Sequence, residues 1–294
     1  MANKKTVLVG GATGHQGGAV VNKLLDNGHS VVAYVQDDQS QAAQSLHKKG
    51  VALAVGDLRN ASQLEAAAAQ ADAIFSITVP FGPDGPMGEV VQGKNLADVA
   101  EKQNKHLVYS SIAGAKPTAN LVVEHASSKQ QIEAYFATKP NLKQTVIGPV
   151  YLMENLLNFK FNGLERGVYA QPLSPDKKIN QVTVLDIAGL AVWAIEHPDS
   201  MIGQRVEVAS DDISGEEIAQ ILSEVIGRHI GYYKTPIEQI RQAAGNEIAT
   251  MYEKFETNPY KVDIAALRNR FPEIKWHSFK QWAETLAWKT LLPG

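Results

Sequence analysis

The chain has 294 residues, enough for one large domain or two modest domains with a proper core. Hydrophobic residues make up 44% and charged residues 20%, and the net charge of −3 argues against a general nucleic-acid surface, because phosphate binding needs clustered Lys and Arg. The sequence contains no cysteine, which excludes disulfides, thiolate catalysis and cysteine-ligated metal sites.

No segment has the length of a bilayer-spanning helix. The apolar stretch that follows Lys4 and Lys5 is short and interrupted by glycine, unlike the apolar region of a secretory signal. We therefore predict a cytoplasmic protein that has neither a membrane nor a nucleic acid as its partner.

Short apolar segments alternate with segments of helical periodicity through the first half of the chain. Strands are predicted at Thr6–Val9, Val31–Val35, Val51–Val55, Ile74–Thr78, His106–Ser110 and Gln144–Ile147. Helices are predicted at Ala19–Asn27, Gln39–Lys49, Ala61–Gln70, Glu89–Gln103 and Glu124–Thr138. Continuous apolar strands between helices indicate a parallel sheet covered on both faces. Right-handed crossovers then predict a doubly wound α/β Rossmann fold over residues 1–150.

The pattern becomes less regular after Pro149. Helices are predicted at Asp186–His197 and Ser214–Ile226, with a strand at Arg205–Ala209 between them, and the segment from Pro236 onward is mainly helical. We predict that residues 151–294 form a smaller, mainly helical lobe for a substrate or partner, with part of this chain free to return to the sheet. The loop Pro80–Gly88 is rich in Gly and Pro and is a candidate flap near the site.

A glycine-rich segment joins the first predicted strand to the first predicted helix. A bound diphosphate needs a tight turn, a close approach of the backbone and a helix N-terminus with free N–H groups. Gly11 suits the turn, Gly14 the close approach, and Gly17 the packing of helix on strand. The spacing is G-x-x-G-x-x-G, and no Gly-Lys-Ser/Thr follows, which excludes a P-loop. This segment predicts a site for NAD or NADP.

The ends of the second and third strands bear on the adenosine half of the cofactor. An acid after the second strand binds the ribose hydroxyls of NAD, whereas an Arg there accepts the 2′-phosphate of NADP. Gln36 and Asp37 occupy this point. If the Asp37 side chain faces the 2′-phosphate, it repels the phosphate of NADP. If it points away, Gln36 can form a hydrogen bond with either cofactor. The choice between NAD and NADP stays open. Asp57, after the third strand, is compatible with accepting the adenine amine or with capping the helix at Ala61.

Several blocks of sequence together are typical of one family. They are Gly11–Gly18, Gly56–Leu58, Gln92–Asn95, Tyr109–Gly114, Ser128–Lys129, Met153–Asn155 and Asp186–Ile187. With these blocks, which extend to about residue 220, the sequence resembles the NmrA-like family, an atypical branch of the short-chain dehydrogenase/reductases. The resemblance implies NAD(P) binding but not one activity: some members are reductases or quinone oxidoreductases, and others are cofactor-binding regulators of transcription factors with little turnover.

The resemblance also implies a set of cofactor contacts. They are Thr13, Gly14, His15, Gln16, Gln36, Asp57, Leu58, Thr78, Val79, Lys129 and the segment from Pro149 through Tyr151 to Met153. We add Ser110 to these contacts, because it ends the fifth strand at the carboxyl edge of the sheet, where ligands bind. Ser110 and Ser111 are also compatible with polarising a substrate carbonyl or with capping a turn. The resemblance favours NADP as the cofactor. NADP-preferring relatives carry Arg where this chain has Gln36, so this position weakens the case for NADP.

His125 and Lys129 are the catalytic candidates. Short-chain dehydrogenases typically place a Tyr four residues before a Lys on one helix face, where the Tyr donates a proton and the Lys lowers its pKa. His125 stands at the Tyr position; an ordinary His pKa of about 6.5 suits an acid near neutrality, and a hydrogen-bonding role is the alternative. Lys129 is either a ligand of the cofactor ribose or a solvated helix lysine. Because no H-x-x-x-H pair is present, no metal site is predicted.

These features favour an NAD(P)H-dependent reductase that transfers a hydride to a quinone or a carbonyl compound. The alternative is an NAD(P)-sensing regulator that binds a protein partner without significant turnover, since the usual Tyr is missing. Tyr151 and Met153 are compatible with an apolar pocket for a flat ring or with core packing, and core packing is favoured for Phe159 and Phe161. The sequence does not decide between a monomer and a homodimer.

Overall fold

The computed structural model describes residues 3–80, 82, 84–115 and 124–292; of residues 124–126 and 160 it describes the backbone only. The chain divides into two units. Unit 1 comprises the residues up to Pro149 together with Ile187–Glu207, and unit 2 comprises Val150–Asp186 and the residues from Val208 onward. Among the helices of the described residues, none has the length and apolar character needed to cross a membrane.

Unit 1 is organised around a seven-stranded parallel sheet. Its strands are β1 (Thr6–Gly10), β2 (Ser30–Val35), β3 (Ala52–Val55), β4 (Ala73–Ile77), β5 (His106–Ser110), β6 (Gln144–Pro149) and β10 (Arg205–Val208). The order β10-β6-β5-β4-β1-β2-β3 reverses between β1 and β4, and in this fold class ligands bind outside the carboxyl ends of the strands at such a reversal. The predicted doubly wound α/β fold is confirmed, and the strand predicted at Arg205–Ala209 joins this sheet next to β6.

Helices cover the sheet of unit 1 between successive strands. They are α1 (His15–Asp26), α2 (Gln41–Lys48), α3 (Ala61–Ala68), α4 (Gly85–Lys102), α5 (Glu124–Ala137), most of α7 (Val184–Glu196) and α8 (Pro198–Met201). Two of them begin a full turn before their predicted start. Helix α1 begins one turn earlier than Ala19, because Gly17 and Gly18 belong to the helix and not to the loop. Helix α4 begins at Gly85 with Pro86 in its first turn, where a missing N–H costs nothing.

The position of α4 changes the predicted flap. Residues 85–88 are helical, so the predicted loop is wrong for that part. Of the residues before Gly85, Pro80, Gly82 and Asp84 are not helical, and Phe81 and Pro83 lie outside the described residues. The helix is held against α5 by a close approach: a Cβ on Gly93 would come within 2.5 Å of Ile132 Cγ1. Strand side chains such as Leu8 and Leu107 are fully buried in the same core cluster.

Unit 2 contains short strands as well as the predicted helices. The strands are β7 (Tyr151–Leu152), β8 (Val168–Gln171), β9 (Lys178–Val182), β11 (Asp211–Ser214) and β12 (Gly231–Lys234). The helices are α6 (Phe159–Asn162), α9 (Gly215–Ile226), α10 (Ile237–Ala244), α11 (Asn246–Thr257), α12 (Ile264–Arg270), α13 (Phe279–Glu284) and α14 (Trp288–Leu291), with 3-10 turns at Met153–Leu157 and Leu164–Arg166. The strands form two small sheets, β11-β9-β7 and β12-β8, which are too short to leave a periodic signal in the sequence.

The core of unit 2 contains several aromatic side chains. Phe279 and Trp282 are buried with ring centroids 5.3 Å apart, and Trp288 belongs to the same cluster. Phe159 packs partly buried against this cluster, whereas Phe161 is 66% exposed, so the prediction of core packing is wrong for Phe161. Helix α6, which carries both residues, is only one turn long and therefore presents one of the two rings outward.

A buried histidine at the start of β5 predicts a pH-dependent stability. His106 is 7% exposed, its Nε2 lies 2.8 Å from Thr145 Oγ1, and burial lowers its pKa from 6.5 to about 4. Between these two pKa values the unfolded chain binds a proton that the folded chain does not, so the free energy of unfolding falls as the pH is lowered from 6.5 towards 4. The expected loss from this residue is about 3 kcal/mol.

Urea unfolding at pH 7 and near pH 4.5 of the wild type and of His106→Gln tests this expectation. The variant should lose less stability than the wild type over that interval. His47→Gln, a change at an exposed histidine of α2, is the matched control and should follow the wild type. Equal losses in His106→Gln and the wild type would contradict the prediction.

Candidate functional site

The turn between β1 and α1 has the form of an anion-binding loop. Gly11 takes a φ of +70°, and the Gly14 amide donates to the Gly11 carbonyl at 3.0 Å to close the turn. Helix α1 then begins at His15, with Gly14 as an N-cap that provides no capping side chain. Among the described residues, no protein acceptor binds the backbone N–H groups of His15 and Gln16, which therefore remain available to an anion.

Gly17 and Gly14 differ in whether the protein's own packing requires a glycine. A Cβ on Gly17 would lie 2.1 Å from the Gly11 carbonyl oxygen, so Gly17 is required by the close packing of α1 on the turn. A Cβ on Gly14 would meet only that same oxygen at 3.4 Å, and its φ of −91° is open to any residue. The protein itself therefore does not require glycine at position 14. An exposed glycine at a helix N-terminus fits the close approach of a diphosphate, so the residues present suit the predicted dinucleotide.

Most of the predicted cofactor residues lie together at the carboxyl edge of the sheet of unit 1, because the strands are parallel. They follow or end β1 (Gly11, Thr13, Gly14, His15, Gln16, Gly17), β2 (Gln36, Asp37), β3 (Asp57, Leu58), β4 (Thr78, Val79), β5 (Ser110) and β6 (Pro149). The Ser110 hydroxyl donates to Gln16 Oε1 at 2.7 Å and so links β5 to the start of α1. Asn95, the last residue of the sequence block Gln92–Asn95, donates to the Leu58 carbonyl at 2.9 Å and so holds the loop after β3.

Asp57 binds an arginine that the sequence analysis did not single out. Arg59 donates to both oxygens of Asp57. Its Nε lies 3.1 Å from Oδ1 and 2.9 Å from Oδ2, and its Nη2 lies 2.6 Å from Oδ2. This guanidinium lowers the pKa of the Asp57 carboxyl. The cap of α3 is Asn60, whose side chain accepts from the Gln63 amide at 3.2 Å, so Asp57 does not cap that helix. Asn60 directly precedes the predicted helix, and this was the available signal for the cap.

Lys129 is buried at the ends of β4 and β5. Its side chain donates to the Thr78 carbonyl at 2.8 Å and to Thr78 Oγ1 at 3.0 Å, and it is paired with Glu89 Oε1 at 3.0 Å. Tyr109 OH lies 2.7 Å from Thr78 Oγ1 and 3.3 Å from Lys129 Nζ. The Ser128 hydroxyl donates to the other oxygen of Glu89. Lys129 is 4% exposed, which excludes the alternative of a solvated helix lysine.

The electrostatics of this cluster follow from its burial. Removal from water lowers the pKa of Lys129, and the charge of Glu89 opposes that effect. Burial raises the pKa of Tyr109 well above its ordinary value, so this phenol holds its proton firmly. Glu89 is completely buried and was not predicted; it lies 40 residues from Lys129 in the sequence, and only the packing of α4 against α5 brings the two charges together.

The other catalytic candidate, His125, lies in α5 one turn before Lys129. Its side chain falls outside the described residues, so its proposed role as an acid stays a prediction.

A second polar network holds the loop after β5. Arg205, from β10, donates to Glu133 Oε2 and to the Ile112 carbonyl, both at 2.8 Å. The Ser111 hydroxyl donates to Glu133 Oε1. The Ser111 hydroxyl is therefore engaged in a hydrogen bond within the protein. Sequence spacing could not link Arg205 or Glu133 to this loop, because β10 joins the sheet from much later in the chain.

Two predicted residues belong to unit 2. Met153 is 1% exposed within the core of that unit. Tyr151 OH lies 3.0 Å from Tyr252 OH, and the Tyr151 ring meets Phe255 edge-on. The neighbouring Glu154 accepts from the Val184 amide at 3.1 Å and so caps α7, which gives this block of the sequence a structural reason.

Within the ranges that the structure describes, no three His, Asp or Glu side chains lie close enough together to hold a metal ion.

The comparison with known families decides the relationship. The model of the NmrA-like family matches residues 3–284, nearly the whole chain. The chain belongs to the NmrA-like family. Among its relatives, the NAD(P)H azoreductase of Xenophilus azovorans is 30% identical over 240 residues, which are 81% of this chain and 79% of that protein.

Solved structures share the fold of this family member. The NADPH-dependent quinone oxidoreductase QOR2 of Escherichia coli, complexed with NADPH, has a TM-score of 0.76 at 18% identity, covering 95% of this chain and 99% of that chain. NmrA, a negative transcriptional regulator in complex with NADP, has a TM-score of 0.74 at 19% identity, and the match covers 96% of this chain and 95% of that chain. One fold therefore serves both an enzyme and a regulator, and function has to be argued from the site.

Proposed function

We propose that this NmrA-like protein is an NAD(P)H-dependent oxidoreductase that transfers a hydride to a quinone- or carbonyl-type small molecule. The observation that carries the proposal is the glycine at position 14, which the protein's own packing does not require, beside the uncapped N-terminus of α1. The named activity of the azoreductase relative and of the quinone oxidoreductase neighbour supports a reductase.

The residues of unit 1 have separate tasks in this proposal. The amides that open α1 bind the diphosphate, and Gln16, held by Ser110, orients the loop beneath it. Lys129 donates to the carbonyls that end β4 and β5, at Thr78 and Ser110. In this proposal its positive charge there serves to bind the nicotinamide ribose. Glu89 favours the charged form of that lysine and so opposes the effect of burial, which lowers its pKa. Residues 151–294 supply the substrate- or partner-binding lobe.

The chemistry balances without a metal or a covalent intermediate. When bound, the reduced cofactor supplies two electrons as a hydride, and one proton from water or from His125 completes the conversion of a quinone to its hydroquinone.

The direct test is the oxidation of NADH and NADPH by the purified protein with a panel of quinones, aldehydes and azo compounds. Turnover with at least one class is expected, and Gly14→Val is expected to abolish it. Tight binding of the cofactor without oxidation across the panel would contradict a reductase. In that case a clear difference in affinity between oxidised and reduced cofactor would support the alternative, a sensor without significant turnover, since equal affinities shift no equilibrium.

A further inference from the structure

A cavity of about 330 Å³ lies beyond the ends of β2, β3 and β4. It is lined by Gln36, Arg59, Val79, Gly82, Asp84, Gly85, Gly88 and Gln92. In a doubly wound fold the second strand ends at the adenosine ribose, which is where NAD and NADP differ. Among these lining residues Arg59 carries the one positive charge, so it is the candidate ligand for a 2′-phosphate.

Arg59 is already held from two sides. Asp57 takes its Nε and Nη2, and Asp84, at the start of α4, takes its Nη1. A guanidinium binds a phosphate best through two parallel N–H groups. In this arrangement both sides of the fork are engaged by carboxylates of the same chain, so a phosphate would have to displace one of them.

The surrounding charge makes that exchange unfavourable. Asp57 and Asp84 outnumber Arg59, and Asp37 and Asp38 directly follow Gln36 in the chain. A 2′-phosphate would therefore enter a region of net negative charge, whereas the 2′-hydroxyl of NAD carries no charge. Gln36 offers an uncharged hydrogen-bonding group at the same cavity.

We infer that Asp84 makes this protein selective for NAD(H) over NADP(H), because it satisfies Arg59 internally and withholds it from a 2′-phosphate. The inference rests on the proposed function, since it assigns the adenosine end of the same dinucleotide site. Asp84 is a positioning residue here, because it acts through Arg59.

Fluorescence titration of NADH and NADPH against the wild type, Asp84→Asn, Arg59→Gln and the double variant tests this inference. The wild type should bind NADH at least tenfold more tightly than NADPH. Asp84→Asn should improve the NADPH affinity about tenfold and change the NADH affinity less than twofold. The gain should disappear in the double variant, because no guanidinium remains to bind the phosphate. Asn is also a good N-cap, so α4 should keep its start.

Asp38→Asn is the matched control, since it removes one negative charge two residues after Gln36 without touching the Arg59 pairs. It should raise the NADPH affinity less than threefold. A wild type that prefers NADPH and loses that preference in Arg59→Gln would overturn the inference, as would an Asp84→Asn variant with an unchanged NADPH to NADH ratio. Failure of the wild type to bind either dinucleotide would instead remove the proposed function itself.

Discussion

Gly14→Val is expected to weaken the binding of NADH and NADPH by about a hundredfold or more, which corresponds to roughly 3 kcal/mol. The reason is geometric. A side chain at this position meets only the Gly11 carbonyl oxygen within the protein, but it extends into the exposed space in front of the amides that open α1. A diphosphate would then be held too far from those amides to accept their hydrogen bonds. The fold should tolerate the change, because the backbone at position 14 is in an extended conformation.

Titration of each cofactor, together with thermal unfolding, separates binding from stability. Gly18→Ala is the matched control: its Cβ also meets one carbonyl oxygen at 3.4 Å, that of Ala12, and its affinity should stay within about twofold of the wild type. Gly17→Ala should behave in the opposite way and lose stability, since its Cβ would lie 2.1 Å from the Gly11 oxygen. Unchanged affinity in a folded Gly14→Val would remove the assignment of the loop to a diphosphate.

Lys129→Met is expected to lower the free energy of unfolding by about 3 to 5 kcal/mol at neutral pH. Methionine fills a similar volume but leaves the Glu89 carboxylate, which is completely buried, without its cation. Adding Glu89→Gln in the same chain should recover most of this loss, because the amide needs no counter-charge. The two single variants and the double variant form a cycle that isolates the energy of the pair.

Urea unfolding of these variants supplies the measurement. Lys139→Met is the control, since Lys139 pairs with Asp98 at 2.6 Å in a partly exposed position, where an ion pair contributes at most about 1 kcal/mol. A Lys129→Met variant no less stable than Lys139→Met would show that burial of the Lys129–Glu89 pair carries no special cost. The same variant should also bind the cofactor more weakly if Lys129 is the ribose ligand, and that loss should persist in the double variant.

The sequence by itself determined the features that depend on neighbours along the chain. Alternating apolar strands and helices predicted the parallel sheet, and the spacing of Gly11, Gly14 and Gly17 predicted the turn that opens α1. Strand ends could be assigned to one edge of the sheet because all parallel strands finish on the same side. The seven sequence blocks from Gly11–Gly18 to Asp186–Ile187, taken together, were sufficient to recognise the family.

Only the tertiary structure decided which charges meet. Glu89 reaches Lys129, Asp84 reaches Arg59 and Arg205 reaches Glu133 through helix packing and crossovers that bring together residues 25 to 72 positions apart. Periodicity and turn chemistry report on a few adjacent residues, so they contain no record of such pairs. The small sheets of unit 2 were missed for a related reason, because strands of two to five residues are stabilised by their partners rather than by their own pattern.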